Sequence, residues 1–257
     1  MHKIPYNNFH YLTERTAGPV LFPSLSFYSR LFCIVFRASR LAKKEHYDGT
    51  QWYESSFEVM QQLEQAGIRI EISGIRNIEK VSGASVIIGN HMSMMETLIL
   101  PAMIQPITPV TFVIKQALLS YPVFKYIMRS RDPIAVTRTN PRQDLKTVLN
   151  EGTDRLSKGI SVIVFPQTTR SYKFDEQQMS SIGVKLAKKA GVPVIPLALK
   201  TDCWQNGKQI KDFGRLDTTK MAHFAFGEPI TITGKGDMEQ AAVNAFIAGK
   251  LKEWEAL

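Results

Sequence analysis

A histidine and a glutamate stand five residues apart, shortly after an apolar run that is typical of a buried strand. The run covers residues 84–88, His91 follows three residues later, and Glu96 completes the pair. A carboxylate that holds one imidazole nitrogen protonated leaves the other nitrogen able to accept a proton. The pair therefore predicts a general base with its orienting carboxylate. A hydrogen-bonded structural histidine is the alternative on this segment alone.

A second polar segment, residues 166–171 (PQTTRS), follows another strand-like run at 161–165 (SVIVF). Open α/β sheets bind ligands at the carboxyl ends of their strands, and an arginine there suits a phosphate or a carboxylate. Lys115 and Arg138 also follow strand-like runs. Together with Arg170 they predict three cations that hold one phosphate. A surface turn with a solvated arginine is the alternative for Arg170.

Several common functional motifs are missing from the sequence. The patterns GxGxxG, GxxxxGK[ST], GxSxG, HExxH and CxxC do not occur, which disfavours dinucleotide, P-loop, serine-hydrolase and zincin sites. Cys33 and Cys203 are the only cysteines and stand 170 positions apart. This spacing excludes a disulfide framework and a cysteine zinc site, and it favours a reducing compartment. We therefore expect neither a metal nor a cofactor.

Apolar periodicity predicts an alternation of strands and helices along most of the chain. The predicted strands cover residues 68–72, 84–88, 111–114, 134–137, 161–165 and 192–199. The predicted helices cover residues 19–44, 50–66, 142–156, 183–190 and the tail from Asp237. Residues 97–114, which contain three prolines, are interpreted as buried turns followed by a strand. The alternation predicts an α/β fold with a mixed, largely parallel sheet flanked by helices.

An aromatic and basic stretch lies near the N-terminus, at residues 19–44. Residues 1–44 hold seven basic side chains and one acidic side chain, which is +6 of the formal net charge of +9. An amphipathic helix of this composition is typical of the membrane interface, with an ordinary packed helix as the alternative. We predict an N-terminal membrane-interfacial helical segment over residues 1–45 and a catalytic domain over residues 46–257.

The composition predicts a globular protein, and the N-terminal stretch together with the lack of a signal region predicts a location at the cytoplasmic face of a membrane. The 257 residues are 44% hydrophobic and 21% charged, which supplies a core without a bias toward disorder. The longest charge-free stretch is interrupted by prolines and the first 15 residues contain no apolar signal region, so we expect no transmembrane span and no signal peptide. The positive charge indicates an anionic membrane surface or a phosphorylated substrate as partner. A nucleic acid is disfavoured because no recognition motif accompanies the charge.

Four segments, taken together in their order and spacing, carry a family resemblance. The first is NHMSMME at 90–96, which matches the pattern NHxSxxD at Asn90, His91 and Ser93. The second runs from Lys115 through Leu118 and Pro122 to an IDR-like triplet that ends at Arg138. The third, FPQTTRS at 165–171, is similar to FPEGTRS, and the fourth, at 192–199, is similar to VPVIPxAL. Over these motifs, from about residue 72 to 200, the chain resembles the glycerophospholipid acyltransferase family.

The resemblance implies transfer of a fatty acyl group from acyl-CoA or acyl carrier protein to a hydroxyl of a lysophospholipid, as in phospholipid biosynthesis. It implies His91 as the general base and Glu96 as its orienting carboxylate, with no metal and no acyl-enzyme. The residues implied to bind the acceptor and its phosphate are Lys115, Arg138, Gln167, Thr168, Thr169 and Arg170. Supporting motif residues are Asn90, Ser93, Pro166, Ser171 and Pro193.

Five residues depart from the family pattern, and two of them, Lys125 and Asp132, stand in stretches of the second motif where glycine is frequent. Glu96 stands where aspartate is usual, and the additional methylene moves the carboxylate, yet a histidine with a glutamate is a workable pair. Gln167 replaces a glutamate, which removes a negative charge and a hydrogen-bond acceptor near the head group. Thr168 replaces a glycine, which removes backbone freedom there. Two alternatives follow. The chain could acylate a lyso-lipid other than lysophosphatidic acid, such as a lyso-aminolipid, or it could be a catalytically silent lipid-binding relative.

Overall fold

The structure is a computed structural model that describes residues 10–14, 20–167 and 169–256. The strands among the described residues are β1 (His10–Leu12), β2 (Arg69–Ser73), β3 (Val86–Gly89), β4 (Val110–Lys115), β5 (Ile134–Val136), β6 (Ser161–Val164), β7 (Val194–Lys200) and β8 (Met221–Phe226). The α-helices are α1 (Pro23–Lys43), α2 (Gly49–Gln65), α3 (Met95–Ile104), α4 (Phe124–Ser130), α5 (Pro141–Ser157), α6 (Ile182–Ala190) and α7 (Asp237–Glu255). Residues 1–9 and 15–19 of the predicted N-terminal segment, including most of the stretch considered for a signal region, lie outside the described residues.

All eight strands join one sheet in the order β1-β2-β8-β7-β3-β6-β4-β5. Strands β7, β3, β6, β4 and β5 are mutually parallel, whereas β8 is antiparallel to β7 and β1 is antiparallel to β2. This confirms the predicted mixed, largely parallel sheet. Because the five parallel strands point the same way, the chain segments that follow their carboxyl ends meet at one edge.

Helices cover both faces of the sheet, and each face has its own apolar core. Helices α1 to α4 pack on one face around a core that includes Phe27, Leu63 and Ile99. Helices α5 to α7 pack on the other face around a core that includes Val148 and Val243. The parallel strands are buried on both faces, which explains why their sequences are continuous apolar runs rather than alternating ones.

Helix α1 is part of the domain core and not a separate appendage. One face of α1 is buried in the same core as α2 and α3, through residues that include Phe27, Leu31 and Ile34. The boundary that the sequence placed at residue 45 therefore does not separate two cores. Among the described residues, no helix has the length and apolarity needed to cross a bilayer. A membrane role for the outer face of α1 stays a prediction.

The expectation of turns at the start of residues 97–114 was wrong, because this stretch continues helix α3. Pro101 lies inside α3, although a proline in a helix removes one backbone hydrogen bond. Eight of the ten α3 residues are buried, so the helix is stabilised by burial against the sheet and α2. Tertiary packing thus outweighs the local cost of the proline, which no local pattern could show.

The other predicted strands and helices are present, and their ends differ by a few residues at most. Three elements had no prediction: β1, α4 and β8. β1 and α4 are short, with three and seven residues. β8 (MAHFAF) is buried at five of its six positions, and its histidine interrupts the apolar run. His223 is accommodated there because its Nδ1 lies 2.5 Å from the Glu71 carboxylate on β2.

Candidate active site

The predicted histidine and glutamate meet at the carboxyl end of β3. His91 follows β3 by two residues, and Glu96 lies in the first turn of α3. The Nδ1 of His91 is 2.9 Å from Oε2 of Glu96. Glu96 is fully buried, whereas the His91 side chain keeps 15% of its surface exposed. One ring nitrogen therefore faces a buried carboxylate, while part of the His91 side chain stays exposed.

The Glu96 carboxylate is fixed by several donors besides His91. The backbone N–H of Met92 donates to Oε1 at 3.1 Å, and the backbone N–H of Ser93 lies 3.0 and 3.1 Å from the two oxygens. The hydroxyl of Thr201 also donates to Oε1. The carboxylate can accept from Nδ1–H of His91 as well, and in that tautomer Nε2 keeps its lone pair.

Thr201 is a site residue that the sequence did not indicate. It follows the carboxyl end of β7, is fully buried, and accepts a 3.0 Å hydrogen bond from Ser93 Oγ while donating to Glu96. It lies 105 positions from Glu96 along the chain, and no local motif marks it. Only the pairing of β7 with β3 brings its hydroxyl to the carboxylate.

Asn90 anchors the loop that carries His91. Its side-chain amide donates to the carbonyl of Leu199 at 2.8 Å, and the backbone N–H of Leu199 donates back to Asn90 Oδ1 at 2.9 Å. Both groups are buried. The loop after β3 is therefore tied to β7, which is the strand formed by the fourth predicted motif.

The third predicted motif lies directly against His91. The Phe165 ring stacks on the imidazole with 4.5 Å between ring centroids and 6° between planes. The backbone N–H of His91 donates to Gln167 Oε1 at 2.5 Å, and the carbonyl of His91 accepts from the Ser171 N–H at 2.9 Å. Gln167 is buried and holds the His91 backbone with its neutral amide. Pro166 stands between Phe165 and Gln167, and Thr168 lies outside the described residues.

Arg170 reaches an acidic partner that the sequence did not indicate. Its guanidinium Nη2 is 2.5 Å from Asp212 Oδ1. The neighbouring Lys211 donates from Nζ to Thr169 Oγ1 at 2.6 Å. Burial, and next the proximity of Arg170, lower the pKa of Lys211. Arg170 of the third motif thus lies close to a second cation, Lys211, and to one carboxylate, Asp212.

Lys115 and Arg138 share the edge of the sheet with His91 but lie further along it. Lys115 is the last residue of β4 and is exposed, and Arg138 follows β5 by two residues. The backbone N–H of Arg138 donates to Asp144 at 2.7 Å. In the strand order, β4 is two strands from β3 and β5 is three, which is about 10 and 14 Å at the usual strand spacing. That both bind the same phosphate as Arg170 stays a prediction.

Pro193 lies away from the predicted pair. It precedes β7, and its carbonyl accepts from the backbone N–H of Val86 at the amino end of β3. Pro193 therefore helps to pair β7 with β3 at their amino ends, whereas Thr201 and His91 follow the carboxyl ends of these strands. Within the described ranges, no group of three or more His, Cys, Asp or Glu side chains is arranged to hold a metal ion.

Replacing Thr201 by valine is expected to lower kcat about tenfold with little change in the KM of either substrate. Valine keeps the shape of threonine but removes one hydrogen bond to a buried carboxylate, which typically contributes about 1.5–3 kcal/mol. Thr201→Ser should restore most of the activity, and the exposed Thr218→Val serves as the matched control. Steady-state kinetics measures the effect. A valine variant with the kcat of the wild type would show that the Thr201 hydroxyl does not support the reaction.

Comparisons with known proteins cover the part of the chain that carries this site. A family model described as Acyltransferase matches residues 69–200. The 1-acyl-sn-glycerol-3-phosphate acyltransferase of Pseudomonas aeruginosa is 36% identical over 133 residues, which are 52% of this chain and 50% of that protein. A probable 1-acyl-sn-glycerol-3-phosphate acyltransferase of Mycoplasma pneumoniae is 29% identical over 136 residues, again 52% of this chain and 50% of that protein. The matched part thus spans about half the length of these curated relatives.

A solved structure shares the fold over nearly the whole chain. The crystal structure of the 1-acyl-sn-glycerophosphate (LPA) acyltransferase PlsC from Thermotoga maritima superposes with a TM-score of 0.67 and 20% sequence identity. The match covers 91% of this chain and 95% of that one. The predicted site residues from Asn90 to Pro193 lie inside the family match, whereas Thr201, Lys211 and Asp212 lie beyond it.

Proposed function

The chain belongs to the glycerophospholipid acyltransferase family, and on this premise we propose that it transfers a fatty acyl group from acyl-CoA or acyl carrier protein to a hydroxyl of a lysophospholipid. The observation that carries the proposal is the His91 and Glu96 pair at the carboxyl end of β3. Glu96 is fully buried and fixed by backbone and hydroxyl donors, so the orientation of His91 is set before substrate binds.

In the proposed reaction, Nε2 of His91 removes the proton from the acceptor hydroxyl. At the same time the hydroxyl oxygen of the acceptor attacks the carbonyl carbon of the thioester. The tetrahedral intermediate then breaks its carbon–sulfur bond. The thiolate leaves and takes the proton from the imidazolium, so the base is restored. Glu96 holds Nδ1–H and stabilises the positive charge that forms on the ring. Neither an acyl-enzyme nor a metal or cofactor is needed for these steps.

The acceptor is proposed to bind through its phosphate at the carboxyl edge of the sheet. Arg170 is the basic residue of the third motif, which packs on His91, and Gln167 and Thr169 belong to the same motif. Lys115 and Arg138 extend the positive charge along the same edge. Holding the phosphate there fixes the hydroxyl with respect to His91, which lowers the entropic cost of the attack.

The activity can be tested with the purified full chain, an acyl thioester and a panel of acceptors. Acyl-CoA and acyl carrier protein are offered in parallel as donors. The acceptors are lysophosphatidic acid, a lysophosphodiester lipid and a lyso-aminolipid. Release of free thiol that depends on an acceptor, with a diacylated product by mass spectrometry, supports the proposal. No thiol release with any donor and acceptor pair would instead favour a silent lipid-binding relative.

The outer face of α1 supports binding to an anionic membrane, which we propose to be the cytoplasmic leaflet. Large apolar side chains on and beside this helix are between 43% and 84% exposed: Leu21, Phe22, Leu25, Phe32 and Phe36. Exposed basic side chains lie among them: Arg30, Arg37, Arg40, Lys43 and Lys44. Apolar side chains enter the interface while basic ones attract anionic lipid, so the two sets favour one membrane-facing orientation.

Two substitutions on this face are expected to weaken vesicle binding at least tenfold: Leu25→Ser with Phe36→Ser. Both side chains are exposed, so their loss leaves the core of α1 in place and removes apolar area that the membrane would bury. Arg30→Glu with Arg40→Glu should remove the dependence on anionic lipid and on low salt. The matched control is Lys185→Glu with Lys188→Glu, which are exposed on α6 across the sheet. Co-sedimentation with vesicles measures all three, and equal loss in the control would contradict the assignment of this face.

A further inference from the structure

A chain segment between β7 and β8, residues 205–216, brings charged groups to Arg170. Within it, Asp212 accepts from the Arg170 guanidinium at 2.5 Å, and the side chains are only 24% and 15% exposed. Lys211 Nζ lies 2.6 Å from Thr169 Oγ1 and 3.5 Å from the carbonyl oxygen of Arg170. The segment therefore contacts Thr169 and Arg170, two of the third-motif residues that are proposed to bind the acceptor.

The backbone of this segment is held in place by contacts that do not involve Arg170. The hydroxyl of Tyr28 on α1 donates to the Gly214 carbonyl at 2.5 Å. The Phe213 ring lies against Tyr28 and Phe32, with centroid distances of 5.7 and 5.5 Å. The backbone N–H of Leu216 donates to Ser24 Oγ at 2.9 Å. Asp212 is thus presented to Arg170 by a backbone docked on α1.

The charges of Arg170, Lys211 and Asp212 together favour an anion at this place. Arg170 and Lys211 are close enough for the arginine to lower the pKa of the lysine, after the larger effect of burial. Two neighbouring cations repel each other, and the attraction of both to a nearby anion offsets that repulsion. In the free protein Asp212 supplies that negative charge. A phosphate has more acceptor oxygens than a carboxylate and, as a monoester, a charge approaching −2 at neutral pH.

We propose that Lys211 is a phosphate-binding residue of the acceptor site and that Asp212 occupies the anion position of Arg170 until the phosphate of the acceptor displaces it. The proposal rests on the proposed function in that Arg170 is taken as an acceptor ligand. Displacement favours a phosphate monoester over a singly charged phosphodiester, because only the monoester carries more negative charge than the carboxylate that it replaces. Lys211 and Asp212 are therefore specificity-determining residues.

Calorimetric titration of the full chain with inorganic phosphate tests this step without acyl transfer. Asp212→Asn, which keeps the shape and removes the charge, is expected to bind phosphate about fivefold more tightly, and Asp212→Ala should act in the same direction. Lys211→Met is expected to bind phosphate about fivefold more weakly. Lys208→Met, an exposed lysine of the same segment, is the matched control and should equal the wild type.

A second arm separates a lipid head group from free phosphate. With lysophosphatidic acid as acceptor, Asp212→Asn should lower the KM of the acceptor and reduce the preference for a phosphate monoester over a phosphodiester. Unchanged or weaker phosphate binding by Asp212→Asn overturns the proposal. So does a change in phosphate binding without any change in acceptor KM, since the site would then serve free phosphate. If the wild type binds phosphate as expected but transfers no acyl group, the proposed function fails and the anion site stands.

Discussion

Replacing His91 by alanine is expected to lower kcat by about 10²- to 10⁴-fold, which is the usual contribution of a general base. In the proposed reaction no other group takes the proton from the acceptor hydroxyl. The imidazole is held on one side by Glu96 at 2.9 Å and on its face by Phe165, so its position is fixed by two independent contacts. The KM of both substrates should change little, because the imidazole contributes to the transition state more than to binding.

The control for this variant is His46→Ala, an exposed histidine just beyond the C-terminal end of α1. Its activity should equal that of the wild type. Thermal unfolding of His91→Ala should stay close to the wild type, because Glu96 keeps its backbone and Thr201 donors. A His91→Ala protein that retains wild-type kcat would contradict the mechanism, whatever the acceptor.

Replacing Glu96 by glutamine is expected to lower kcat about 10²-fold or more. The two carboxylate oxygens accept from His91, from two backbone N–H groups and from Thr201. An amide offers one oxygen and one NH₂ group, so it cannot accept at both ends. Either His91 Nδ1 loses its acceptor, or the Met92 N–H and the Thr201 hydroxyl, which both donate to Oε1, lose theirs. If the NH₂ group faces the ring, Nδ1 becomes the acceptor and Nε2 carries the proton, which is the wrong tautomer for a base.

Aspartate at the same position separates the charge of Glu96 from its length. Glu96→Asp keeps the carboxylate but shortens it by one methylene, so either the contact with His91 or the contact with Thr201 must lengthen. We expect a loss of about tenfold or less, well above the activity of Glu96→Gln, because the tautomer of His91 is preserved. Single-turnover kinetics on both variants gives the comparison. Equal activities of the two variants would show that charge and tautomer are not what Glu96 supplies.

The position of the parallel strands, and with it the edge that holds the site, could be predicted because fully buried strands have continuous apolar sequences. Strands β3 and β6 are buried at every position, and such runs stand out against helical periodicity. Helix α3 was harder, since Pro101 argues locally for a turn and only burial of the helix on α2 and the sheet outweighs it. Strand β8 escaped notice because His223 interrupts its apolar run, and its partner Glu71 lies 152 positions away.

The sequence by itself determined the family, the fold class and the pair His91 and Glu96, because motif order and short spacing are local properties of the chain. The pair lies within one loop and one helical turn, with only four residues between its two members, so its contact is a local one. Only the tertiary structure decided which groups surround the pair. Thr201 reaches Glu96 because β7 pairs with β3, and Asp212 reaches Arg170 because α1 holds residues 205–216 in place. These contacts join residues 42 and 105 positions apart. They depend on the packing of the whole core, so no short stretch of sequence can indicate them.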